Sequence, residues 1–160
     1  MDDEFYMRIA LSEAKIALKE GNWPIGCVII FGDEVIARDH NRVYTLENRT
    51  AHAEMMALNQ VAQKLFKKSA RATLYTTYEP CPMCFGAIIL NTMGRVVCGV
   101  DLDKSGALHI RDNMPPAFKQ ERYQFEITRG VLAKECAEIF LQGKHAKKLN
   151  ELGLLEKNFL

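Results

Sequence analysis

Residues 71–90 run RATLYTTYEPCPMCFGAIIL, and the order of residue types there decides the fold. From Arg71 to Thr77 the stretch is rich in β-branched and aromatic residues, the composition of a strand. Pro80-Cys81-Pro82-Met83-Cys84 ends it. Pro82 suits the first turn of a helix, and the apolar run continues helically to about Asn91. A strand that turns into a helix is a building unit of an α/β sheet.

Working towards the N-terminus, a helix is expected from about Ala51 to Leu65, preceded by an irregular stretch from Asp39 to Arg49. Ile25 to Phe31 and Glu34 to Ala37 form a hairpin around Gly32-Asp33. Phe5, Ile9, Leu11, Ile16 and Leu18 recur near helical spacing, so residues 2–20 form a helix that Gly21 stops. Towards the C-terminus, Arg95 to Val100 is a strand and 101–120 a loop with Gly106 and Pro115-Pro116. Tyr123 to Thr128 is a fifth strand, and Gly130 precedes a last long helix. The pattern predicts a three-layer α/β/α sandwich with a central five-stranded mixed sheet. It forms one domain over 1–160, with a core of about 5–143 and a basic, then apolar, tail over 144–160.

Composition sets outer limits. Of the 160 residues, 48% are apolar and 26% charged, the balance of an ordinary globular protein. A net charge of +1 argues against strong non-specific attraction to nucleic acid, though not against a local basic patch. No run is long enough to span a membrane. The acidic start, Met1-Asp2-Asp3-Glu4, is unlike a secretory signal. Five cysteines, an odd number, fit a reducing cytoplasm, where paired cysteines point to metal or redox work.

Two short motifs carry the chemistry: His52-Ala53-Glu54 and Pro80-Cys81-Pro82-Met83-Cys84. Cys81 and Cys84 are three apart at a helix start, so their sulfurs share a face. The free amides of that helix end favour thiolates. His52 adds a third ligand, leaving the fourth position of a zinc ion open, as catalytic sites do. His52 and Glu54 would diverge by about 200° in mid-helix. Both reach one site only in a first helical turn, for which Thr50 is the capping candidate. Glu54 then lies beside the metal without binding it, as a proton shuttle must. A Cys-x-x-Cys pair alone also serves as a redox couple or half a structural zinc site. Cys27, Cys98 and Cys136 lie in apolar runs and read as small core residues.

Taken together, these motifs resemble the cytidine deaminase superfamily, in the branch of tRNA adenosine, guanine and cytosine deaminases. Trp23-Pro24-Ile25-Gly26, Asn41, Thr50 to Glu54, Thr73-Leu74-Tyr75, Glu79-Pro80-Cys81, Gly86-Ala87-Ile88 and Gly130 to Ala133 carry the resemblance. It implies a cytidine deaminase-like fold, a zinc cofactor, and a homodimer that completes each active site. It also implies hydrolytic release of ammonia from the exocyclic amine of a nucleobase-type ring, with Glu54 moving the protons. Asn41 would hydrogen-bond the base, and the backbone amide of Ala53 would orient it. Trp23 either lines the pocket or plugs the core. Phe85 is either a wall against the base or core packing.

Two substrate classes remain. Phe125 to Thr128, Glu135-Cys136 and Lys104 to Ala107 look like tRNA adenosine deaminases. Three departures point instead to a free base or nucleoside: Asn48-Arg49 replaces the family's Asp-Pro, Leu102 replaces an acidic residue, and Phe85 replaces an alanine. The reading therefore leans to a small nucleobase or nucleoside, with the wobble adenosine of a tRNA as the alternative. The lysines at 144, 147 and 148 either bind RNA or form a solvated helix end.

Overall fold

A computed structural model describes residues 2–100 and 105–153. Its strands are β1 (Gly26–Phe31), β2 (Glu34–His40), β3 (Ala72–Tyr78), β4 (Arg95–Val100) and β5 (Glu126–Thr128). The helices are α1 (Asp3–Lys19), α2 (Ala53–Leu65), α3 (Pro82–Leu90), α4 (Ala133–Leu141) and α5 (Lys144–Glu151). The strands form one sheet in the order β2-β1-β3-β4-β5. β1 runs antiparallel to both neighbours, while β3, β4 and β5 are parallel. The sheet is therefore mixed, as the sequence predicts.

Side-chain alternation along the strands builds the three layers. Cys27, Ile29, Leu74, Val96 and Cys98 face one side, where they meet Ala57, Leu58, Val61, Ile88 and Ile89 of α2 and α3. Val28, Ile30, Tyr75 and Val97 face the other, against Met7, Ala10 and Ala14 of α1 and Ile139 and Phe140 of α4. Asp2 caps α1 by accepting from the Phe5 amide at 3.1 Å. None of the described helices is long and apolar enough to cross a membrane.

The elements differ from expectation in four places. β2 extends to His40 because it pairs with β1 back to Gly26. Thr50 does not cap α2: its hydroxyl donates to Asn48 Oδ1 at 2.8 Å, and His52 occupies the cap position. β5 is shorter, since Glu121–Tyr123 turns as a 3₁₀ segment. The last helix breaks at Gly143, so the basic stretch is a helix rather than a tail. A Cβ at Gly143 would lie 2.9 Å from Pro24 Cδ, so only glycine lets the chain cross there. Leu102 and Lys104 lie outside the described residues.

Candidate active site

Two helix starts converge on the same point. His52 is the residue before α2 and Cys81 the residue before α3. Both have extended backbone, so each side chain leaves its helix end instead of lying along the barrel. Cys84, one turn into α3, completes the group. Among the described residues, His52, Cys81 and Cys84 are the group able to hold a metal ion, with ligand atoms all within 4.8 Å of one another.

The spacing fits zinc. Bonds of ~2.3 Å to sulfur and ~2.0 Å to nitrogen at a tetrahedral angle place S and N about 3.5 Å apart. His52 Nδ1 lies 3.5 Å from Cys81 Sγ and 3.6 Å from Cys84 Sγ. The electrostatics favour a cation too. The hydrogen bond from Cys84, with help from His52, pushes the Cys81 thiol down to about 4. Its partner Cys84 is raised by that same bond and by burial. The Cys81 thiolate in turn raises His52.

Glu54 sits in the first turn of α2 and is only 3% exposed. Its Oε1 accepts from the Thr76 hydroxyl at 3.2 Å, and its Oε2 from the Cys84 thiol at 3.4 Å. Burial raises its pKa from the ordinary glutamate value. A buried carboxyl beside a metal site, held by two hydrogen bonds, is placed to take and return protons.

A cavity of about 310 Å³ opens from this cluster. Trp23, Ile25, Asn41, Tyr78, Glu79, Ser105, Phe140 and Leu149 line it alongside His52, Glu54 and Cys81. Asn41 is buried, and its Oδ1 accepts from the Val43 amide at 3.2 Å, which leaves the side-chain nitrogen available to a ligand. Ala53 is buried at the first turn of α2, where its amide has no intrahelical acceptor. Trp23 both lines the cavity and packs between Phe140 and His145, with ring centroids at 5.8 and 4.6 Å. Phe85 is elsewhere: 1% exposed, edge-on to Phe125 in the core, and absent from the cavity wall. Its placement supports packing and not a wall against the base.

Several lining residues escaped the sequence reading. Tyr78 ends β3 just before the Glu79-Pro80-Cys81 motif, a position that could have suggested it. Glu79 is buried and accepts from the Leu108 amide at 2.9 Å, holding the loop beyond β4. Phe140 reaches the cavity through the packing of α4 on the sheet, and Leu149 because the chain folds back at Gly143, which periodicity does not show.

A histidine and two cysteines with zinc spacing, beside a buried glutamate in an α/β/α fold, define the zinc-dependent deaminase class. Residues 1–100 match the model of the cytidine and deoxycytidylate deaminase zinc-binding region. The chain belongs to that family and is a zinc-dependent aminohydrolase. It is 41% identical to the tRNA-specific adenosine deaminase of Bacillus subtilis over 137 residues, 84% of this chain and 83% of that one. A solved structure from work on tRNA:A34 deaminases at the wobble position superposes with a TM-score of 0.75 at 33% identity, covering 84% of this chain and 98% of that one. The guanine deaminase of Bacillus subtilis reaches a TM-score of 0.57 at 33% identity, over 62% of this chain and 64% of that one.

Proposed function

We propose that this chain is a tRNA adenosine deaminase that converts the wobble adenosine to inosine. The observation that carries the reading is the 41% identity to a tRNA-specific adenosine deaminase across 84% of the chain. Among the guanine deaminases, that of Bacillus subtilis covers 62% of this chain, and that of Nitrosomonas europaea covers 88% but at 23% identity, a likeness of fold alone. The relatives thus favour the alternative over the small-base reading to which the sequence leaned. Two of the departures behind that lean also weaken. Phe85 is in the core, so it does not reshape the cavity. Asn48 Oδ1 accepts from both the Thr50 amide and its hydroxyl, bonds that an aspartate oxygen would equally make.

His52, Cys81 and Cys84 hold the metal in this reading. When bound, zinc supplies the Lewis acidity that brings a water near ~7 in pKa. Asn41 donates to the base edge, and the Ala53 amide faces it at the helix start. Trp23 and Tyr78 give the ring apolar walls. Water adds at C6 and the bond from C6 to the exocyclic nitrogen breaks. Glu54 carries one proton from the water to N1, then a second from the added oxygen to the departing amine. The lysines of α5 lie on the helix that supplies Leu149, so phosphates could meet them beside the cavity mouth. The enzyme acts in the cytoplasm as a homodimer.

A panel of free bases, nucleosides and tRNA, assayed for ammonia and inosine, tests the reading. Inosine should form at the wobble position, with a rate that falls steeply with salt because phosphate contacts release counterions. Turnover of a small base alone, flat in salt, would return the assignment to the small-molecule class.

A further inference from the structure

The mechanism leaves one buried histidine unused. His40, the last residue of β2, is 3% exposed. Its Nδ1 lies 2.9 Å from Glu13 Oε2, and its Nε2 lies 3.1 Å from Glu20 Oε2. Each ring nitrogen thus faces a carboxylate oxygen within hydrogen-bond distance. The histidine joins the middle of α1 to its C-terminal end and cannot rotate without breaking both bonds.

The neighbouring contacts hold the chain on either side of Asn41. Before it, the Asp39 carboxylate accepts from the His40 amide at 2.8 Å, from Arg42 Nε at 2.8 Å and from Gln60 of α2 at 2.7 Å. Beyond it, Asn22 Oδ1 accepts from the amides of Tyr44 at 2.9 Å and Thr45 at 3.2 Å. Asn22 is tied back to the same Glu20 oxygen at 3.3 Å. The Asn41 amide itself donates to Ile25 O at 3.0 Å. Glu20 is therefore a shared anchor for both sides of the residue that faces the cavity.

We propose that His40 is a positioning residue: held between Glu13 and Glu20, it fixes where Asn41 presents its side-chain amide to the base. The inference rests on the reading that Asn41 touches the base. Burying a carboxylate beside a histidine is costly unless the pair is well bonded, and this one is bonded at every end. The role of such a clamp is geometric. Displacing the amide weakens substrate binding and leaves the proton transfers at Glu54 intact.

The test is a double-mutant cycle on the zinc-loaded enzyme, with an anticodon stem-loop RNA carrying adenosine at the wobble position. Should that RNA prove inert, the small base that the panel shows to be deaminated replaces it. His40→Gln should raise KM about tenfold, the size of one lost charge-assisted hydrogen bond, with kcat little changed. Asn41→Ala should raise KM at least as much. The double variant should be no worse than Asn41→Ala alone, because His40 acts through Asn41. Multiplied effects, or a fall in kcat in place of the rise in KM, overturn the proposal. An Asn41→Ala variant with unchanged KM overturns the base contact itself, and the proposal with it. If His40→Gln does not fold, Glu20→Ala takes its place in the cycle, since Glu20 is 38% exposed at its side chain and its removal leaves Glu13 in position. Glu20→Gln should restore KM, since its amide oxygen still accepts from His40. Failure of that rescue overturns the clamp.

Discussion

The metal cluster and the cavity wall differ in how they are built. His52, Glu54, Cys81 and Cys84 come from two short motifs, each at the start of one helix. The wall is assembled from rings that are distant in sequence. Trp23, Phe140 and Tyr78 line the cavity, and His145 and Tyr44 continue their stack behind it; in the order Tyr44, His145, Trp23, Phe140, Tyr78 successive centroids are 4.6, 4.6, 5.8 and 4.5 Å apart. The Tyr44 hydroxyl lies 3.4 Å from His145 Nδ1, across 101 residues of chain. The cluster depends on helix-end geometry, which a substitution destroys outright. The wall depends on stacked surfaces, which a substitution loosens by degrees.

That contrast predicts graded losses. The largest belongs to the cluster: Cys81→Ala/Cys84→Ala should lose zinc, by metal analysis, and all measurable deamination, because one histidine cannot retain the ion. Full zinc occupancy in that variant would sink the ligand assignment. Next is Glu54→Gln, which should keep zinc yet slow turnover by at least ~100-fold, the usual cost of a lost general acid–base group. Near-normal rates would mean that another group moves the protons.

The wall should respond more mildly. Trp23→Ala removes two ring contacts worth ~0.5–1.5 kcal/mol each, so KM should rise about tenfold with zinc retained. Phe85→Ala is the contrasting control. It should cost ~3–5 kcal/mol of stability in denaturant melts and leave KM nearly unchanged, as a core ring does. Equal KM effects from both variants would erase the distinction between wall and core.

The smallest effect is one of pH. Burial, then Lys144 and Lys148, lower the pKa of His145. A histidine lowered on folding favours the docked state above its unfolded pKa, and that preference is lost as pH falls through ~6.5 towards the folded value. The contact of α5 with the wall should therefore loosen on mild acidification. Trp23 is the single tryptophan in the chain, so its fluorescence reports this directly. No change in that signal between neutral and mildly acidic pH, or the same change in His145→Ala, would remove His145 from the account.

The same contrast explains what was legible in the sequence. The apolar run from Ile25 to Phe31 and the helix opening at Pro82 are local signals, and they gave the sheet, the layers and the metal cluster. Glu54 was legible because its two-residue spacing from His52 allows only a first-turn geometry. Thr76, Tyr78, Phe140 and Leu149 were not, because their roles arise from strand pairing, from the packing of α4 on the sheet and, for Leu149, from the reversal at Gly143. Phe85, for which the sequence left wall and core both open, shows why. Its neighbour in sequence is a metal ligand, but the helix turns its ring away into the core.

Gly143 also divides the chain in two. His52, Glu54, Cys81 and Cys84 precede it, while the ring of His145 and the Leu149 wall follow it. Because its neighbour across the crossing is Pro24, the joint is narrow and tolerates only hydrogen at its α-carbon. A side chain at that point would push α5 off Pro24 and carry the His145 ring and Leu149 with it, while the groups at the starts of α2 and α3 keep their places. The reach of α5 to the cavity thus hangs on a single hydrogen atom.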